Sequence, residues 1–266
     1  MYDRFNRNIN YLRISVTDRC NLRCRYCMPE EGVQILDHTE ILSFEEIVEV
    51  TKEAVSLGVE KVRLTGGEPL VRKGIVQLVA MLARIKGIED LSMTTNGLLL
   101  DKFAQPLVDG GLQRINISLD TVNPIKYRLV TRTGELASVL QGITASKKAG
   151  LEPIKVNCVI EKSSDEPDAK QVEEYCRENG LEVRFIHQMD LHTGEFYQVE
   201  GGIGGNCSLC NRLRLTANGM IKPCLFSEQD FDVRKLGARN ALLAALENKP
   251  ACGTINQSGR FYNIGG

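Results

Sequence analysis

Thr17-Asp18-Arg19-Cys20-Asn21-Leu22-Arg23-Cys24-Arg25-Tyr26-Cys27 decides how this chain is read. Three thiols fall within eight residues, spaced Cys-x3-Cys-x2-Cys, directly after an alternating apolar stretch at 11–16 that has the pattern of a β-strand. A loop at a strand end can turn all three toward one metal centre. An iron–sulfur cubane takes four ligands, so three thiolates leave one iron for a ligand that is not protein.

Downstream of that loop, strand and helix patterns alternate. Ser43 and Glu46 form a capping box that opens a helix whose apolar face (Phe44, Ile47, Val48, Thr51, Ala54, Val55) runs to Gly58. Strands follow at 61–65, 91–95, 114–118, 154–160 and 182–187. Helical patterns lie between them, at 75–85, at 102–109, around Leu136, Val139, Leu140 and Ile143, and around Ala169, Val172 and Cys176. Six strands with five helical segments predict a parallel sheet of right-handed βα units. Two units are missing from an eight-fold barrel, so the α/β fold expected over 1–190 is a partial, TIM-like (β/α)6 barrel. Glycine or polar residues follow most strands, at 20–27, 66–68, 94–97, 118–120 and 189–190, on the face where barrel enzymes keep their active sites.

The pattern changes at 191–266, read as a C-terminal extension. Residues 192–206 are glycine-rich and read as a flexible connection. Cys207, Cys210 and Cys224 then form a second triad, Cys-x2-Cys-x13-Cys, followed by one helix over 233–246 and a coil ending Gly265-Gly266. A structural zinc site needs a fourth ligand, and only His192 or Cys252 is available, neither at ribbon-like spacing. By itself the triad suits zinc or iron–sulfur; beside the first loop, iron–sulfur is favoured. Cys158 and Cys176 fall on apolar faces and read as core residues, while His187, at a strand end, reads as a satisfied polar residue.

Composition bounds the rest. The 266 residues are 42% hydrophobic and 25% charged, with a formal net charge of −1. That balance argues against general nucleic-acid affinity and leaves anion binding to local Arg and Lys clusters. No apolar run reaches the length of a membrane span, and the opening residues lack a signal-peptide core, so a cytoplasmic protein is expected. Nine cysteines there point to metal ligation or catalysis rather than disulfides.

The first loop resembles the cluster loop of the radical S-adenosylmethionine (SAM) enzymes, and Gly66-Gly67-Glu68-Pro69 is similar to that family's glycine motif. The resemblance narrows to the GTP 3′,8-cyclases of molybdenum cofactor biosynthesis. It is carried by residues 12–21, 63–70, 94–97 and 116–120, by the second triad with Arg212-Leu213-Arg214, and by Gly265-Gly266. It implies a lyase with two 4Fe–4S clusters, on Cys20, Cys24 and Cys27 and on Cys207, Cys210 and Cys224. It also implies SAM held by Tyr26, Gly66, Gly67, Glu68, Ser118 and Met189. GTP would meet Arg13, Lys61, Arg63, Thr94, Lys155, Arg184, Arg212 and Arg214, with an open iron of the second cluster facing the guanine. A homodimer is compatible with this picture.

Lys61 and Arg63 alternate onto one strand face, and Arg212 and Arg214, if extended, share another. Several inward cations are costly unless an anion such as a triphosphate joins them. Glu68 reads as part of a turn rather than as a general base, because radical abstraction needs positioning and solvent exclusion. The chain departs from the cyclase pattern at 190–206, which is several dozen residues shorter, and at His187, where the family usually has Glu. The shortening bears on substrate choice and makes a peptide the alternative substrate. A non-enzymatic module with zinc on both triads is the remaining reading.

Overall fold

A computed structural model of the chain describes residues 1–189 and 197–253. Asp190, His192 and the Gly265-Gly266 tail lie outside the described residues. Six parallel strands, β1 (Tyr11–Ser15), β2 (Lys61–Thr65), β3 (Asp90–Thr95), β4 (Arg114–Ser118), β5 (Ile154–Ile160) and β6 (Glu182–His187), follow one another in chain order across a sheet. Between them run α1 (Phe44–Ser56), α2 (Ile75–Ala83), α3 (Leu100–Asp109), α4 (Pro124–Thr131), α5 (Leu136–Ala149) and α6 (Pro167–Asn179). The sheet does not close on itself, and the partial barrel is the observed architecture.

Alternation divides the sheet into two chemically different faces. Leu12, Ile14, Val62, Leu64, Met93, Ile115, Ile117 and Val156 are buried in one continuous apolar core with the helix residues Ile47, Leu78, Leu82, Val139, Ile143 and Val172. The opposite face carries Arg13 and Ser15, Arg63 and Thr65, Ser92 and Thr94, and Asn116 and Ser118. Hydrophobic burial therefore glues helices to the outside of the sheet, while the inside stays polar. An interior of this kind suits a bound ligand better than structural packing.

Besides α4, which the sequence reading lacks, three features depart from the expectation. Residues 212–232 form β7 (Arg212–Leu215), β8 (Met220–Lys222) and β9 (Phe231–Asp232), and β7 joins the same sheet parallel to β1. The sheet order is β6-β5-β4-β3-β2-β1-β7-β8-β9. The expected helix over 233–246 is two, α7 (Val233–Leu236) and α8 (Ala238–Glu247), split at Gly237 with φ 78° and ψ 150°. The described part of the glycine-rich connection, 197–206, folds back on the sheet: Glu200 makes a two-way backbone bridge with Phe185 of β6, and Val199 N–H donates to the Gly204 carbonyl. No helix among the described residues is long and apolar enough to cross a membrane.

Candidate active site

The cysteine loop leaves β1 and is held from two sides. On one side lies the turn after β2. Gly67 N–H donates to the Thr17 carbonyl at 2.7 Å and Glu68 N–H to the Arg19 carbonyl at 2.8 Å. A Cβ on Gly66 would stand 2.7 Å from the Thr17 oxygen, and one on Gly67 would stand 2.4 Å from the Arg19 oxygen. The paired glycines are thus required by close approach of the cluster loop's own backbone. On the other side, the end of α4 grips the loop. Arg23 and Arg25 N–H groups donate to the Thr131 and Val130 carbonyls, and Arg132, at φ 64°, donates to the Arg23 and Met28 carbonyls.

Glu68 is buried, and its carboxylate accepts from Leu70 N–H at 3.0 Å, Thr95 Oγ1 at 2.7 Å and Asn96 N–H at 2.7 Å. Burial pushes its carboxyl up to about 7, and the three donors hold it back from rising further. It ties the glycine turn to the end of β3, which is the turn role read from the sequence. Asp120, just beyond β4, takes the Tyr26 hydroxyl at 2.8 Å and Val159 N–H at 2.9 Å. Burial raises the Asp120 carboxyl, and burial together with Asp120 raises the Tyr26 phenol well above its ordinary range.

A cavity of about 280 Å³ opens at this face of the sheet. Its lining brings together Cys20, Cys24 and Cys27 with Tyr26, Gly66, Gly67, Glu68, Thr94, Ser118 and Met189. Burial pushes the Cys20 thiol up to about 11 and that of Cys24 up to about 12. The positive charge of a metal centre would favour their thiolates. Among the described residues no three His, Cys, Asp or Glu side chains converge tightly enough for a single ion. Three thiols lining one cavity suit a cluster, where each thiolate takes its own iron.

The cations lie one pleat deeper. Thr65 lines the cavity and Arg63 precedes it by two residues on the same face; Asn157 and Lys155 stand in the same relation on β5. Register then draws β7, β1 and β2 into line: Arg214 is opposite Arg13, and Arg13 is opposite Arg63. The three are 6, 8 and 8% exposed. Burial, then the charges of Arg214, Arg63 and Arg212, holds the Arg13 guanidinium well below its ordinary value. Arg214 is lowered to about 10 by burial and by Arg212, and Arg184 is lowered by burial and by Arg63. Arg63 donates to Ser92 Oγ at 3.1 Å, and Lys155 is paired with Glu182 at the edge of the group. Thr94 Oγ1, both side-chain polar atoms of Asn116, Arg184 Nε and Arg212 Nε are buried without a hydrogen-bond partner. Orphaned donors beside repelling cations fit a polyanionic ligand. Lys61 stands on the same face of β2, in register with Tyr11 and Asp90.

The second triad is built around two side chains that sequence reasoning missed. Lys249, 1% exposed, donates from Nζ to the Arg212 carbonyl at 2.8 Å and the Pro223 carbonyl at 2.7 Å, so it binds the chain just after Cys210 to the chain just before Cys224. Burial works against the Cys210 thiolate, but Lys249 and Arg212 outweigh it and lower the thiol. Thiolate-favouring cations suit metal ligation. Arg7, paired with Asp3 at 2.7 Å, holds the Cys207 carbonyl at 2.8 Å. Met189 of the first cavity and Cys224 of the second triad both pack on Phe226, so the two sites are neighbours. Neither Lys249 nor Arg7 carries a local signal in the sequence; Asp120 did, as a polar residue directly after a strand. His187 lines the cavity and lies 3.4 Å from Glu200. Cys158 and Cys176 are core residues.

The family described as "Radical SAM superfamily" matches residues 14–176. A GTP 3′,8-cyclase from Thermodesulfovibrio yellowstonii is 42% identical over 282 residues, covering 89% of this chain and 88% of that protein. One from Moorella thermoacetica is 42% identical over 294 residues, covering 92% and 91%. Among solved structures, anSMEcpe with bound AdoMet superposes with a TM-score of 0.65 at 16% identity, covering 90% of this chain and 81% of that one. Streptococcus suis SuiB bound to its precursor peptide gives 0.68 at 15%, covering 92% and 66%. In SuiB alone the chain spans 40% of the matched structure, with a TM-score of 0.55. At these identities the structural likeness speaks for the fold alone.

Proposed function

The chain belongs to the radical SAM superfamily and, within it, to the GTP 3′,8-cyclase family, and from that premise we propose that it converts GTP to (8S)-3′,8-cyclo-7,8-dihydroguanosine 5′-triphosphate in molybdenum cofactor biosynthesis. The observation that carries the substrate is the buried row Arg214–Arg13–Arg63, one pleat below the cavity lined by Cys20, Cys24 and Cys27. A cationic floor beneath a radical-generating loop calls for a small polyanion, and a nucleoside triphosphate supplies it.

In this reading Cys20, Cys24 and Cys27 hold a 4Fe–4S cluster, and Tyr26, the Gly66–Glu68 turn, Ser118 and Met189 hold SAM. When bound, cluster and SAM would supply the radical chemistry for hydrogen abstraction from the ribose. The chain's own part is positioning. Arg13, Arg63 and Arg214, with Lys61, Lys155, Arg184 and Arg212, fix the triphosphate, and Thr94, which lines the cavity, marks where nucleotide meets SAM. Asp120 holds Tyr26 against the loop. Cys207, Cys210 and Cys224 would hold a second 4Fe–4S cluster, with Cys224 packed on Phe226. The reaction belongs in the cytoplasm, where GTP and a reducing environment coexist.

Anaerobic incubation with GTP, SAM and dithionite, read by product mass, tests this. The cyclised nucleotide and 5′-deoxyadenosine are expected together. Formation of 5′-deoxyadenosine alone would reject GTP as substrate while leaving the radical chemistry intact.

A further inference from the structure

Asn116 stands on the inner face of β4, 1% exposed, and both its carbonyl oxygen and its amide nitrogen are buried without a hydrogen-bond partner. Its neighbours across the sheet are Thr94 on β3 and Lys155 on β5, in register on either side. Thr94 Oγ1 is likewise buried without a partner, so two adjacent polar side chains face the interior and do not bond to each other. Lys155 is taken by Glu182. Ser118, two residues along β4 on the same face, lines the cavity shared with Cys20, Cys24 and Cys27. In the other direction Ser92, two residues before Thr94, is opposite Arg63. Asn116 therefore occupies the level between the cavity and the cationic floor. An amide buried with both ends unpaired costs free energy that a ligand with a donor and an acceptor recovers.

We propose that Asn116 holds the ribose of the bound nucleotide, its amide N–H donating to one of the 2′ and 3′ hydroxyls and its carbonyl accepting from the other, and that it thereby selects ribonucleotides over deoxyribonucleotides. This rests on the reading of the chain as a GTP cyclase. Ionised triphosphate oxygens only accept, so they satisfy Nδ2 and leave Oδ1 orphaned, whereas a vicinal diol supplies both partners. Position agrees with chemistry. The ribose is the group joined directly to the triphosphate, and Asn116 lies one pleat, about 7 Å, above the level of Arg63. A sugar held at both hydroxyls cannot turn, so Asn116 is a positioning residue that fixes which edge of the ribose meets the cavity.

The test measures nucleotide binding by calorimetry to the full-length, cluster-loaded chain, anaerobically and without SAM, so that nothing turns over. The probes are GTP, 2′-deoxy-GTP, 3′-deoxy-GTP and inosine triphosphate. Wild type should bind each deoxy analogue about 10-fold or more weakly than GTP, because one end of a buried amide loses its partner. Asn116→Leu keeps the shape of the side chain without its polar atoms. Its ligand-free melting temperature should hold or rise, and it should bind GTP and both deoxy analogues alike. Asn116→Ser takes its place if the leucine variant does not fold. An undiminished preference for GTP over the deoxy analogues in the variant overturns the proposal. Loss of discrimination against inosine triphosphate, with sugar discrimination kept, would assign the amide to the base and overturns it as well. Wild type that binds GTP and the deoxy analogues equally removes this proposal alone, whereas wild type that binds no GTP removes the substrate reading on which it rests.

Discussion

Arg13 and Arg214 stand opposite each other in register across the parallel strands β1 and β7, both buried on the inner face of the sheet. Arg63 continues the row on β2. Like charges brought this close destabilise the ligand-free protein, and a polyanion converts the same repulsion into binding.

Arg214→Met should therefore have opposite effects on the two states. Without ligand, the melting temperature is expected to rise or hold, since a mutually repelling cation is gone and an apolar side chain of similar length fills its place. GTP binding should weaken by about 2–5 kcal/mol, as when one member of a buried charge pair is removed. Calorimetric titration and thermal melts check both; a destabilised free protein with unchanged affinity would contradict the assignment.

Gly67→Ala should dislodge the first cluster selectively. The added Cβ would fall 2.4 Å from the Arg19 oxygen and 2.6 Å from the Arg19 carbonyl carbon, both backbone, so the cluster loop must move. Iron per chain is expected to fall by about half relative to a protein with two four-iron clusters, with SAM cleavage lost. Iron retained in full would show that the loop can yield.

Glu68→Gln should cost about 1–3 kcal/mol near pH 5, because an amide cannot accept from Leu70, Thr95 and Asn96 together as a carboxyl group does. The Glu68 carboxyl is raised from 4.5 to about 7 in the fold, chiefly by burial. A raised acid contributes its full stability below pH 4.5, and that contribution is lost as pH rises through 7. The gap between wild type and variant in urea midpoint should therefore narrow from pH 5 to pH 8. A widening gap would mean that the three donors dominate over burial.

Lys249→Met should loosen the second site. The buried Pro223 carbonyl and the part-buried Arg212 carbonyl lose their donor, at about 1–3 kcal/mol for the buried one. Loss of such an outer-shell support is expected to weaken metal retention by about 10–100-fold. Chelator challenge of the protein lacking the first three cysteines reads this directly, with release from Cys207, Cys210 and Cys224 compared before and after substitution.

Much of the barrel was legible because its signals are local. The six parallel strands, the capping box at Ser43 and Glu46, and the cysteine loop after β1 all depend on neighbours in the chain. The helix α4 was missed although Asn123 caps it and Pro124 opens it, since its apolar face is short. β7 to β9 were missed because three short strands beside two cysteines read as a metal loop rather than as sheet.

The sequence alone determined which residues alternate and therefore which share a face: Lys61 with Arg63, Arg212 with Arg214, and Cys20, Cys24 and Cys27 on one loop. Only the tertiary structure decided which strands stand side by side. Parallel pairing joins segments far apart in the chain, and its register leaves no local trace. The insertion of β7 beside β1 therefore aligned Arg214 with Arg13, and Arg7, which donates to the carbonyls of Cys207, Pro250 and Ala251, joined segments more than forty residues apart in the chain.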